Sequence, residues 1–341
     1  MIRIGIIGAG ANTRRRHLPN LQEIDGVEVL AVCNKHEEST REVAGDFDIP
    51  RTCRQWQEVI EMDDLDAIVI GTWPYLHCPA TCAAFEAGKH VLVEARMAMD
   101  AEEARRMLRT REETGLVGQV VPSPVGLRVH DAVKQLLADG FLGRPREVYL
   151  RSLSARYIDP DAPLHWRLDR NFSGLNTLAL GIFNETLQRW LGDTSAVLAE
   201  TRTFIKKRPD PETGQERSVE VPDSLSVLAD MSCGARAVYH MSGVTHAAGE
   251  PRIEIYGSAG TLHYLPGSDR LMGASVTEEE LREIEVPPEK EREWTVERDF
   301  IDSIREGAPV ELTSFENGVK YMEFTEAVHR AHRQKRQVEV P

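Results

Sequence analysis

Nowhere do the 341 residues approach the ~20 consecutive apolar positions that a helix needs to cross a bilayer, so no membrane partner is expected. Cysteine is sparse. The five present, Cys33, Cys53, Cys78, Cys82 and Cys233, are odd in number and scattered, which argues against a disulfide framework and fits a reducing compartment. Cys78 and Cys82 stand four apart beside His77, but a structural zinc site wants four well-spaced ligands and no second pair is evident, so no metal is expected. Positive charge is also short. A formal net charge of −14 disfavours a general nucleic-acid binder, whose phosphate contacts need a basic surface. Met1-Ile2-Arg3-Ile4 passes straight into a strand-like run, without the longer apolar segment of a signal peptide, and a cytoplasmic protein is expected.

What is present is a globular composition, 41% hydrophobic and 28% charged, over a length that suggests two domains. Ile2 to Ile7, Val27 to Cys33, Ala67 to Ile70 and His90 to Val93 read as buried strands. Between them, segments near Thr13 to Ile24, Glu37 to Phe47, Cys78 to Ala87 and Ala101 to Thr114 read as helices. Such alternation means a parallel, doubly wound sheet with right-handed crossovers, an α/β Rossmann domain. Gln119 to Val121 adds a strand, and Pro122-Ser123-Pro124 ends the pattern, placing domains at 1–122 and 123–341.

The second domain reads as α+β with an open, mostly antiparallel sheet. A helix is expected around Leu127 to Asp139, and strands at Glu147 to Ser154, Ala196 to Phe204, Ser224 to Met231, Ala235 to Ser242 and Arg252 to Tyr256, with a turn at Gly257 to Gly260. Helices are expected from Asn176 to Trp190, Glu291 to Glu306 and Ser314 to Arg333. The basic tail at Arg333 and Lys335-Arg336 reads as a solvated helix end.

Chemistry enters at Gly8-Ala9-Gly10-Ala11-Asn12-Thr13, directly after the first strand. In a dinucleotide fold the chain turns there from strand to helix, so that backbone N–H groups face a pyrophosphate. Gly8 permits the turn, and Gly10, having no Cβ, admits the phosphates closely. Thr13 replaces a third glycine. After the second strand, where an Asp or Glu would hold a ribose 2′-hydroxyl, the chain offers Asn34-Lys35, which favours NADP modestly over NAD. Arg14, Arg15 and Arg16 can add to that attraction, with solvated surface the expected role of at least two.

Asp66 to His77, including Gly71-Thr72-Trp73-Pro74, and Glu86-Ala87-Gly88-Lys89-His90-Val91-Leu92-Val93-Glu94 resemble the Gfo/Idh/MocA oxidoreductases. So do the opening loop, Gly257-Ser258-Ala259-Gly260-Thr261-Leu262 and the stretch from Ala327 to Val340. The resemblance implies a Rossmann domain followed by a domain whose open sheet makes dimer or tetramer contacts. It also implies hydride exchange between a nicotinamide and a sugar or polyol, aided by the lysine of a Glu-Lys-Pro motif and by an Asp and a His on a later helix. Here those positions read Glu94-Ala95-Arg96 and Ala179-Leu180-Gly181-Ile182-Phe183-Asn184-Glu185-Thr186. Ala95, Ala179, Phe183 and Thr186 thus replace the polar set.

Expected cofactor contacts are Gly8, Gly10, Ala11, Asn12, Thr13, Asn34, Lys35, Thr72, Trp73, His77 and Glu94. Expected catalytic residues are His165, as replacement acid or base, His77, and Arg96, whose guanidinium suits a carboxylate or phosphate and so a more acidic ligand than a plain sugar. For His77 and His165 a capping or packing role stands beside the catalytic one. Tyr157 and His240 are weaker candidates. At ~100° per residue Glu185 points away from Phe183, toward a structural or solvated role, with Asn176 and Thr186 on the Phe183 side. The expectation is an NAD(P)-dependent oxidoreductase of a carbohydrate-like compound, with a non-catalytic dinucleotide-binding sensor as the alternative.

Overall fold

The computed structural model describes residues 1–341 and divides into two compact units. One comprises Met1–Pro122 with Thr295–Met322, the other Ser123–Trp294 with Glu323–Pro341.

In the first unit β1 (Ile2–Ile7), β2 (Val27–Cys33), β3 (Arg51–Thr52), β4 (Ala67–Ile70), β5 (His90–Val93) and β6 (Gly118–Val120) form one sheet in the order β3-β2-β1-β4-β5-β6. Every pairing is parallel. The crossovers carry α1 (Leu18–Gln22), α2 (Glu37–Asp46), α3 (Trp56–Ile60), α4 (Pro74–Glu86) and α5 (Ala101–Thr114). Covering a parallel sheet on both faces explains why all four residues of β4 are buried and apolar. α5 shows how local sequence sets the boundaries: the Asp100 side chain accepts from Glu103 N–H at 2.9 Å, Glu103 accepts from Met99 N–H at 3.0 Å, and Gly115 ends the helix at φ +66°.

The second unit holds β7 (Pro145–Leu153), β8 (Thr194–Arg202), β9 (Lys207–Pro209), β10 (Glu216–Ser218), β11 (Ser224–Met231), β12 (Arg236–Ser242), β13 (Arg252–Gly257), β14 (Gly260–Leu265), β15 (Arg270–Ser275), β16 (Arg282–Glu283) and β17 (Val338–Glu339). Nine of them form a sheet in the order β16-β15-β14-β13-β7-β12-β11-β8-β17; β9 and β10 pair separately. Only β7 and β12 run parallel. Burial alternates along β8 and β11, so one face packs into a core with α6 (His130–Ala138) and α8 (Leu180–Leu191), while Tyr149, Leu198 and Leu228 stand exposed on the strands. A four-residue helix, α7 (Arg170–Ser173), precedes α8.

Three differences from the sequence reading have physical causes. Residues 295–322, expected in the second domain, complete the first unit. They comprise α9 (Val296–Glu306) and the start of α10 (Phe315–Gln334); Phe315, Tyr321 and Met322 are buried in the first core, and Val120 N–H donates to the Thr313 carbonyl at 2.9 Å. α8 starts at Leu180 and not at Asn176, because the chain passes through Leu178 at φ +50°, which interrupts any helix. The strands after Gly260 went unread because Thr261 to Leu265 alternates too briefly to stand out from its turn.

Candidate functional site

β1 delivers the chain to Gly8 at φ +84°, a left-handed conformation in which a Cβ would also collide with Thr72. The Gly8 amide donates to the Cys33 carbonyl at 2.8 Å, and the Ala9 amide to the Asn34 side-chain oxygen at 2.6 Å, so the tip of β2 fixes the loop. Gly10 is different. A Cβ there would meet only the Gly71 carbonyl oxygen, at 3.6 Å, so nothing in the unit's own packing demands glycine. The position is open where first-turn amides lack intrahelical partners, which is what a diphosphate needs. The chain then makes a π-helical turn over Thr13–His17 before α1. Thr13 is buried, and its hydroxyl donates to the Gly8 carbonyl at 3.3 Å. A Cβ on Gly71, at the end of β4, would strike that hydroxyl. The third glycine expected on the helix is thus supplied from the neighbouring strand.

Beside this loop lies a buried ionic chain. Asn12 donates its amide to Glu94 Oε1, which also accepts from His17 Nε2 at 3.0 Å; His17 Nδ1 in turn faces Glu297 Oε1, and Asn20 donates to Glu297 Oε2 at 2.9 Å. Burial alone would lower the His17 pKa, but its bonds to Glu297 and Glu94 prevail and raise it to about 9. For Glu94 burial pushes upward, and the bonds from His17 and Asn12 hold the carboxyl below its ordinary value. His17 and Glu297 were missed by the sequence reading. Nothing local marks them, since 280 residues separate the partners.

The other expected residues of the first unit take several places. Thr72 and Trp73 follow β4 at the sheet's C-terminal edge, with Trp73 37% exposed. Asn34 is fixed between Ala9 and the Ser39 carbonyl, and Lys35 is exposed. Arg14 is paired with Glu42 at 3.0 Å and Asp46 at 2.6 Å, so it is tied to α2 and not simply solvated. His77 is fully buried: Nδ1 lies 3.0 Å from the Arg96 carbonyl and Nε2 2.9 Å from the Thr72 carbonyl, and burial lowers its pKa. The ring thus lies between the Thr72 and Arg96 carbonyls, and in its neutral form it donates to one of them. Arg96, the expected clamp for a carboxylate or phosphate, is likewise buried, only 5% exposed.

In the second unit His165 caps a short turn. Its Nδ1 accepts from Arg167 N–H at 3.1 Å, which leaves the proton on Nε2, and burial together with Arg167 and Arg156 lowers its pKa to about 4. A neutral ring with an occupied Nδ1 is poorly arranged as the expected acid or base. Tyr157 is buried with Leu164 and Leu168, and His240 lies exposed on β12 against Ser226. Glu185 is buried and not solvated, paired with Arg189 at 3.3 Å and accepting from Ser123 N–H at 3.1 Å. His329, which the sequence reading passed over, places Nε2 2.8 Å from the Leu175 carbonyl and 3.1 Å from the Thr177 hydroxyl.

Residues 2–121 match the family model described as "Oxidoreductase family, NAD-binding Rossmann fold", and residues 130–263 match the Gfo/Idh/MocA C-terminal domain. The chain belongs to the Gfo/Idh/MocA oxidoreductase family. Among relatives, the scyllo-inositol 2-dehydrogenase (NADP(+)) of Bacillus subtilis is 24% identical over 99% of this chain and 95% of that protein. The levoglucosan dehydrogenase of Pseudarthrobacter phenanthrenivorans is 26% identical, the match covering 68% of this chain and 63% of that protein. A solved levoglucosan dehydrogenase in complex with NADH and L-sorbose superposes with a TM-score of 0.88 at 23% identity, over 100% of this chain and 99% of that one, a likeness of fold. No helix is long and apolar enough to cross a membrane.

Within this Gfo/Idh/MocA chain, Ala95 follows Glu94 directly and its amide donates to Glu94 Oε2 at 3.1 Å. Phe183 is buried in the second core with Leu187 and Trp190, and Thr186 bonds to the Val125 carbonyl at 3.0 Å. Phe183 therefore packs the core, and Thr186 ties the helix to the Val125 backbone.

Proposed function

We propose that this protein is an NAD(P)-dependent oxidoreductase of a sugar, polyol or sugar acid with an atypical active site, and that it prefers NADP. The observation that carries the reading is the opening at Gly10, where glycine is required by no neighbour of its own, beside the Asn12–Glu94–His17 chain. The loop amides and the helix N-terminus suit a diphosphate, and Thr72 and Trp73 edge the same end of the sheet. When bound, a nicotinamide supplies or accepts the hydride. The chain's part is to hold it. His17, protonated on both nitrogens near neutral pH, keeps the Glu94 carboxylate ionised and so fixes the direction of Asn12 at the loop. The preference for NADP is supported by Asn34-Lys35 directly after β2, where neither residue is a carboxylate that would repel a 2′-phosphate.

Fluorescence titration tests the cofactor reading. NADPH binds more tightly than NADH, and Asn34→Asp reverses the order; equal affinities in both proteins would remove the preference. Substrate class is read by following reduced-nicotinamide absorbance with sugars, polyols and sugar acids. A non-catalytic sensor is the second reading, favoured by the burial of Phe183 where the resemblance puts a histidine. Tight nucleotide binding without turnover on any compound would select it. We further infer that the exposed sheet face around Leu198 and Leu228 is where copies of the chain associate.

A further inference from the structure

The second unit contains a cavity of about 320 Å³ that neither the cofactor loop nor the family motif uses. Its wall gathers Arg170 from α7, Arg202 from the end of β8 and Arg333 from the last turn of α10. In a chain carrying a net −14, three guanidiniums around one hollow are a local inversion of charge. None is paired with a carboxylate: Arg202 lies over the Phe204 ring at 5.5 Å, and Arg170 and Arg333 have no ionic partner. The one acidic residue in the lining, Glu220, is exposed and bonded to nothing.

The floor is polar and held in place. His329 is fixed by the Leu175 carbonyl and the Thr177 hydroxyl, and Thr201 and Thr203 line the same hollow. His332 completes the wall, accepting from Thr201 N–H at 3.1 Å with Glu200 at 3.3 Å. Burial chiefly lowers the His329 pKa to about 4, and the nearby Arg170, Arg333 and His332 add to the effect. The three arginines are exposed to solvent at the rim of the hollow, and an anion that accepts from several of them gains charge-assisted hydrogen bonds from more than one element. A phosphate, with more acceptor oxygens and up to two negative charges, engages guanidiniums on three separate elements more fully than a carboxylate does, and the volume lies at the lower end of small-molecule sites.

We infer that this cavity binds a small phosphorylated compound, its phosphate held by Arg170, Arg202 and Arg333. The site is separate from the cofactor loop, and its occupancy does not depend on the proposed oxidoreductase activity.

The test is calorimetric titration of the full-length protein with pyrophosphate at fixed ionic strength, in wild type and in the Arg170→Gln/Arg333→Gln variant. Loss of at least tenfold in affinity, with thermal midpoint and NADPH affinity unchanged, is the expected result. Arg202→Gln alone weakens binding in the same direction. Equal pyrophosphate affinity in wild type and double variant overturns the inference, as does an effect that sodium chloride at matched ionic strength reproduces. Citrate binding more tightly than pyrophosphate, and lost in the same variant, would overturn the phosphate assignment. Failure of NADPH to bind at all would count against the proposed function and leave this measurement intact.

Discussion

Raising the pH from 6.5 to 9.5 should remove about 3 kcal/mol from the stability of the first unit through His17 alone. The ring titrates near 9 when folded against 6.5 for the free side chain, and each unit of difference corresponds to about 1.4 kcal/mol. A raised folded pKa means that the stabilisation is fully present below pH 6.5 and is lost as pH climbs through 9. The side chain is entirely buried, so solvent screening does not dilute the effect. For a unit of about 150 residues such a loss corresponds to roughly 6–12 °C in thermal midpoint. Urea unfolding at both pH values measures it, and Glu297→Gln supplies the control. That variant removes one of the two carboxylates holding the proton, so its pH-dependent loss should be smaller than wild type's by at least ~1 kcal/mol. The variant starts less stable at pH 6.5, because one partner of a buried pair has been removed. Identical pH-dependent losses in the two proteins would refute the reasoning, as would an NMR titration placing His17 at or below 6.5.

Two glycines two positions apart should respond oppositely. Gly10→Val leaves the unfolding midpoint within about 0.5 kcal/mol of wild type but weakens NADPH binding at least tenfold, whereas Gly8→Ala costs upward of ~1 kcal/mol of stability, seen by urea titration. Because His165 titrates near 4, kcat/KM against pH shows no limb between 5.5 and 8 that His165→Ala removes; such a limb would reinstate it as the acid–base group. On the outer sheet face, Leu198→Glu with Leu228→Glu shifts the protein to monomer in light scattering without changing NADPH affinity. An unchanged mass would exclude that face as the contact between copies.

The cofactor loop was readable because its parts are consecutive: an apolar strand, a glycine that must adopt positive φ, and an open glycine two residues on. Thr13 illustrates what a linear reading leaves out. Its bulk is accommodated by Gly71, and only the pairing of β1 with β4 brings them together. Glu94 was recognised from its place at a strand end, but its partners were not, because His17 precedes it by 77 residues and Glu297 follows by 203. Arg96 and His77 carry the residue types of an active site, and only the fold shows that both are buried. Arg333, read as part of a solvated helix end, is exposed there and also lines a hollow with Arg170 and Arg202, positions far apart in the chain.

The return of residues 295–322 to the first unit has a consequence for how the protein is made. On the ribosome, the N-terminal 122 residues emerge with β6 lacking its contact to Ser314, Phe85 lacking Phe315, and His17 lacking the carboxylate of Glu297. More than 170 residues of the other unit must be synthesised before those pieces arrive. The nascent nucleotide-binding unit therefore waits, incomplete, until residues 295–322 have been translated. A transcript truncated after residue 122 should yield a product that proteases clear quickly.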